Sequence, residues 1–173
     1  MSELISPSTG LAVLHLFCKT NQKNDGQSGQ ATDREAVIQA AKNIVEQGDQ
    51  LVTAAILGHK ADIAFMLLGE DLWRLRDAQT SLAQSGLEIV DSYVSLTEIS
   101  EYAAELPEQM RNSRLYPDLP PPNKPAFCFY PMSKRRDEQV NWFTLPFEER
   151  LELMHEHGAS GRAFAGRILQ VIT

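Results

Sequence analysis

The chain has 173 residues, 43% hydrophobic and 23% charged, with a net charge of −7. That length suits one domain or two small ones and can bury a core without disulfide staples. The acidic balance argues against a nucleic-acid surface. The chain contains no run of about 18 apolar residues, so no membrane span is expected. The start, MSELISPSTG, has neither a basic n-region nor an apolar h-region, so no signal peptide is expected and a cytoplasmic location follows. Cys18 and Cys128 lie far apart in apolar runs and read as two buried thiols in a reducing compartment.

Residues 11–19, LAVLHLFCK, form an apolar run of strand length, and the Gly-, Gln- and Asn-rich residues 20–31 read as a mobile loop. Thr32 and Glu35 suggest a capping box for a helix that Gly48 closes. LVTAAILGH and DIAFMLLG are strand-like, with a turn at residues 60–62. Asp71 is a candidate N-cap for a second helix, whose Leu72, Leu75, Ala78 and Leu82 keep helical spacing and which Gly86 can close. LEIVDSYVSLTEIS is again extended. The order strand, helix, strand, strand, helix, strand predicts a ferredoxin-like α+β unit with an antiparallel sheet.

The following residues, 101–125, include PDLPPPNKP and read as a connector. A strand is then expected over PAFCFYPM, a helix capped by Thr144 and running to about Gly166, and the opening of another strand at RILQVIT. The predicted layout is an N-terminal ferredoxin-like domain over 1–105, a Pro-rich connector over 106–125, and a partial C-terminal ferredoxin-like domain over 126–173.

Chemistry concentrates in the last part. Leu153, His157, Gly161, Phe164 and Ile168 share one stripe of a helix. A histidine there is commonly a core residue bonded to a carbonyl. With two glycines beside it, it could instead ligate the iron of a flat, apolar-walled cofactor. His155 falls on a polar stripe and reads as solvated, and His15 and His59 read as structural. Tyr130 ends a strand-like run just before Lys134, Arg135 and Arg136, so the segment is either a solvated basic loop or a phenol beside carboxylate-binding cations. Arg114 is a surface residue or an anion clamp, and Gln170 an outward amide or a polar group over a ligand. Met132, Trp142, Phe143 and Phe147 read as hydrophobic packing.

Taken together, RLYP at 114–117, CFYPMSKRR at 128–136, NWFTLPFEER at 141–150 and the HG-x-x-GR pattern at 157–162 resemble the chlorite-dismutase-like superfamily. Within it they are most similar to coproheme decarboxylases of bacterial haem biosynthesis. LGHKADIAFMLLGEDLWRLRDAQ and SYVSLTEISEYA resemble the first half of that family. The resemblance implies tandem ferredoxin-like repeats (a dimeric α+β barrel within one chain), with the second repeat incomplete here because the family continues past the position of Thr173. It also implies a homopentamer, with iron coproporphyrin III as substrate, haem b as product and hydrogen peroxide as oxidant. His157 corresponds to the iron ligand, Tyr130 to the redox-active tyrosine, and Lys134 to the lysine that assists at the second propionate. Arg114, Pro131, Met132 and Ser133 correspond to porphyrin contacts, and Gln170 to the distal glutamine. Chlorite dismutases proper carry an arginine at that distal position, which counts against chlorite degradation. A catalytically inactive haem-binding or scaffold protein is the alternative that the resemblance leaves open.

Overall fold

The computed structural model describes residues 4–22, 30–58, 60–103 and 106–173, so His59 and most of the expected loop at 20–31 lie outside the described residues. Two compact units divide the chain. The first comprises Met1–Ile99, Pro107–Pro120 and Val171–Thr173, and the second Ser100–Leu106 and Pro121–Gln170.

The first unit runs β1 (Ala12–Thr20), α1 (Arg34–Glu46), β2 (Gln50–Ala55), β3 (Ile63–Gly69), α2 (Leu72–Gln84) and β4 (Leu87–Leu96). The four strands form one antiparallel sheet in the order β2-β3-β1-β4, the ferredoxin-like arrangement anticipated above. Alternation along β1 sends Ala12, Leu14, Leu16 and Cys18 to one face. There they meet Phe65 and Leu67 of β3, Ala40 and Ile44 of α1, and Leu75, Ala78 and Leu82 of α2. The opposite face is also shielded, because Val13, His15, Ala64, Met66 and Leu68 are all buried. This double burial is why the central strands read as continuous apolar runs. Desolvation in this setting pushes the Cys18 thiol up to about 11, so it stays protonated. Cys128, in contrast, is exposed, against the sequence expectation of a second buried thiol.

Both helices begin with an Asx cap. Asp33 accepts from the backbone N–H groups of Glu35 and Ala36 at 3.0 and 3.1 Å, and Asp71 accepts from that of Trp73 at 2.9 Å. The expected cap at Thr32 is therefore displaced by one residue. The Thr32 hydroxyl instead donates to the Gly86 carbonyl at 3.0 Å and accepts from Asn21 N–H at 2.8 Å, joining the start of α1 to the end of α2. Gly86 closes α2 at φ +84, and a Cβ there would strike the Ala31 carbonyl.

The connector contains a helix that its prolines obscured, α3 (Glu108–Leu115), with Glu108 in its first turn and Arg114 in its last, matching the helix dipole. Its C-terminal end is tied to the first unit. The Thr97 hydroxyl donates to the Leu115 carbonyl at 2.7 Å, and Gly10 N–H donates to the Tyr116 hydroxyl at 3.1 Å. The Gln50 amide donates to the Pro117 carbonyl and accepts from Leu119 N–H, each at 2.8 Å.

Beyond the connector the strands expected over PAFCFYPM and RILQVIT do not form. Among the described residues neither segment enters a β-ladder, and extended backbone outside one stays irregular. A helix does follow, α4 (Phe147–Arg162), entered through Pro146 without a side-chain cap. Thr144 sits in a preceding 3₁₀ turn, Trp142–Thr144, where Asn141 rather than Thr144 supplies the cap.

The buried polar groups of the first unit can be tested by substitution. Arg74 binds Asp49 in bidentate fashion at 3.0 and 2.7 Å, and the Asp49 side chain is only 3% exposed. Arg74→Ala strands that carboxylate and is expected to lower stability by about 2–3 kcal/mol, read as a urea midpoint shift. Removing both partners should cost less than removing Arg74 alone.

Burial lowers the His15 pKa from 6.5 to about 4. Between those values the unfolded chain takes up a proton that the folded chain refuses. The His15 contribution is thus fully present above pH 6.5, falls as pH drops, and levels off below about pH 4. Against a His15→Leu variant in parallel urea titrations, wild type should show the steeper loss of stability across that window.

Candidate functional site

Tyr130, Pro131, Met132, Ser133 and Lys134 lie on one irregular, exposed segment of the second unit. The loop that follows is held locally. The Asp137 carboxylate accepts from Gln139 and Val140 N–H at 3.1 and 2.6 Å and pairs with the Arg135 guanidinium, and these bonds hold its pKa below the usual carboxylate range. Arg136 bridges to Asn141, and Trp142 N–H donates to the Arg135 carbonyl at 2.9 Å. The loop therefore folds back so that residues 134–136 face 141–143.

This reversal sets cations over rings. The Lys134 ammonium lies 4.2 Å from the centroid of Trp142, and the Arg136 guanidinium 4.1 Å from that of Phe143. Trp142 meets Tyr102 edge-on at 6.1 Å, and Tyr102 stacks on Phe147 at 5.6 Å. Arg150 donates to Glu101 at 2.8 Å and to the Tyr102 hydroxyl at 2.9 Å. The phenol's pKa is raised, first by desolvation and then by its bond to Glu101.

Of the group expected to pack, Trp142 and Phe147 do so against Tyr102, whereas Phe143 is 54% exposed under the Arg136 guanidinium and Met132 is 71% exposed. Tyr102 and Arg150 are the members that sequence reasoning missed. Tyr102 lies in the segment read as a connector, and Arg150 follows Glu148 and Glu149, a charged run of the kind common on solvated helix faces.

His157 is on α4 and exposed. Leu153, Met154 and Gly161 share its face at helical spacing. The Lys134 ammonium lies 3.9 Å from Met154 Sδ, so the basic segment reaches the helix one turn before His157. A Cβ at Gly161 would meet nothing within 4 Å, so the helix surface beside the imidazole is open. The expected apolar stripe is cut short. The helix ends at Arg162 and the chain turns at Gly166 with φ +76, so Phe164 and Ile168 are not on it. Gln170 ends the unit, exposed and outside any strand. Arg114 belongs to the first unit, on α3.

The first unit's sheet order and helix placement define a ferredoxin-like α+β protein. Residues 34–173 match the chlorite dismutase family, and the chain belongs to that family. A solved structure described as a novel haem-binding protein from Thermus thermophilus superposes with a TM-score of 0.72 at 29% identity, covering 95% of this chain and 72% of that one.

The residues present suit a haem. A porphyrin iron asks the protein for one neutral imidazole, an open apolar surface and cations for its carboxylates. His157, the Leu153–Gly161 face and Lys134 have that chemistry.

Proposed function

We propose that this chain is a coproheme decarboxylase that converts iron coproporphyrin III to haem b with hydrogen peroxide, in the cytoplasm and as a ring of five copies. The observation that carries the reading is the approach of Lys134 to α4 one turn from His157, which brings a carboxylate-binding cation to the iron-ligand helix. Membership of a family with a haem-binding neighbour supports it further. The unit holding α4 is read as the start of a second ferredoxin-like repeat, with strand-forming residues on both sides of the helix.

In this reading His157 supplies the axial imidazole. The iron, when bound, supplies the oxidising power of peroxide at the site. Each propionate side chain loses carbon dioxide, one proton and two electrons to become a vinyl group, and each peroxide takes two electrons and two protons to become two waters. Tyr130 exchanges an electron and a proton with the propionate beside it, which a phenol can do one electron at a time. Arg114 and Lys134 bind carboxylates, whose charge would otherwise be poorly solvated against an apolar surface. Pro131, Met132 and Ser133 line the porphyrin edge, and Gln170 offers an uncharged amide on the distal side.

Haem binding without turnover is the second reading, favoured by one observation: no side chain from residue 121 to 170 is buried, so this unit by itself does not exclude water from Tyr130.

Titration with iron coproporphyrin III is expected to give a Soret band that His157→Ala largely loses. Peroxide should then produce mass losses matching one and two decarboxylations. Binding without mass loss, under conditions where a catalytically competent relative turns over, would sink the catalytic reading and leave the second. Oxygen release from chlorite would point instead to chlorite degradation, which Gln170 argues against.

A further inference from the structure

Lys134 ends a flexible four-carbon stem on an exposed segment. Such a side chain explores many rotamers unless something holds its tip. Among the described residues no carboxylate pairs with it, whereas neighbouring Arg135 is engaged by Asp137. Two uncharged contacts hold its tip: the indole of Trp142, 4.2 Å from ammonium to centroid, and the Met154 thioether, a weak acceptor 3.9 Å away that occupies at most one of three N–H donors. This choice of partner has a chemical consequence. A carboxylate would neutralise the ammonium and occupy its donors, while a ring face attracts the charge through its quadrupole and leaves N–H groups free for a ligand.

The indole is itself well held. Its backbone N–H closes the 135–142 loop, and its ring meets Tyr102 at an interplanar angle of 79°. Tyr102 stacks on Phe147, the first residue of α4, and Arg150 of the same helix donates to the Tyr102 hydroxyl. A continuous path of contacts therefore runs from α4 through Arg150 or Phe147, Tyr102 and Trp142 to the Lys134 ammonium.

We infer that Trp142 is a positioning residue: its indole holds the Lys134 ammonium, still charged and with donors free, where a second carboxylate of the ligand is received. The inference rests on the role given to Lys134 in the decarboxylase reading. It makes Trp142 a determinant of the second decarboxylation and not of the first. Tyr102 and Arg150 act one step further back, by holding the indole.

Two measurements on the full chain test this. Reductive methylation with ¹³C-formaldehyde labels the six lysines, and Lys134→Gln assigns the Lys134 resonance. That resonance is expected upfield of the others through the indole ring current, and Trp142→Leu should return it to the common position. Trp142→Phe, which keeps a ring face, should leave part of the shift. In single-turnover reactions with iron coproporphyrin III and peroxide, Trp142→Leu should slow the second decarboxylation about two- to fivefold. The singly decarboxylated porphyrin should then accumulate while the first step keeps its wild-type rate.

An unshifted Lys134 resonance in wild type, or one unchanged in Trp142→Leu, overturns the inference. Equal slowing of both steps also overturns it, since general loosening of the unit would do that. If wild type releases no carbon dioxide, the decarboxylase reading fails, and the lysine resonance still decides whether the indole holds the ammonium.

Discussion

β1 is the constraint on which the first unit depends. It donates and accepts along both edges, pairing with β3 from Ala12 to Cys18 and with β4 from Ala12 to Thr20. From Ala12 to Leu16 it also buries both faces, so a substitution there is felt either by the helices or by the opposite surface. A strand so placed is apolar where it is buried, and the single polar side chain it buries, His15, is kept uncharged down to about pH 4 by desolvation. β3 beside it has the same character, and the edge strands relax toward polar residues. Because β1 fixes where β3 and β4 lie, it also fixes the ends of α1 and α2, which close against each other through Thr32, Asn21 and Gly86.

The second unit is organised by different physics. Without a buried core between residues 121 and 170, its order comes from short loop hydrogen bonds, one Asp-capped reversal and cations laid over aromatic rings. These contacts are individually modest, on the order of 0.5–2 kcal/mol each, and they fix local geometry more than they fix a fold. In the proposed haem reading, such a segment leaves its polar side chains available to a large, charged, flat ligand.

Much of the first unit was legible from its residues. Alternation and apolar runs located all four strands, helical spacing located α1 and α2, and Gly48 and Gly86 marked where those helices stop. The errors were of one kind, in which a local signal had two possible uses. Thr32 had the right type and spacing for a cap, but Asp33 took the cap and left Thr32 to tie the helix ends together. The prolines around α3 signalled a connector, and the helix between them is held by partners distant in sequence, Thr97 and Gly10. In the second unit PAFCFYPM has strand composition but joins no ladder among the described residues, so composition alone could not make it a strand.

The site shows the same division. The sequence by itself determined the element order of the first unit, the apolar character of its central strands, the presence of α4 and the family to which the His157, Tyr130 and Lys134 motifs belong. These depend on residue type and near-neighbour spacing, which the chain carries in linear form. Only the tertiary structure decided that α3 folds with the first unit, that Cys128 is exposed, that the stripe through His157 breaks after Arg162, and that Lys134 rests on Trp142 beside Met154. Most of these depend on which groups the folded backbone brings within a few ångströms, and the break after Arg162 depends on a local turn at Gly166; residue spacing alone does not hold that information.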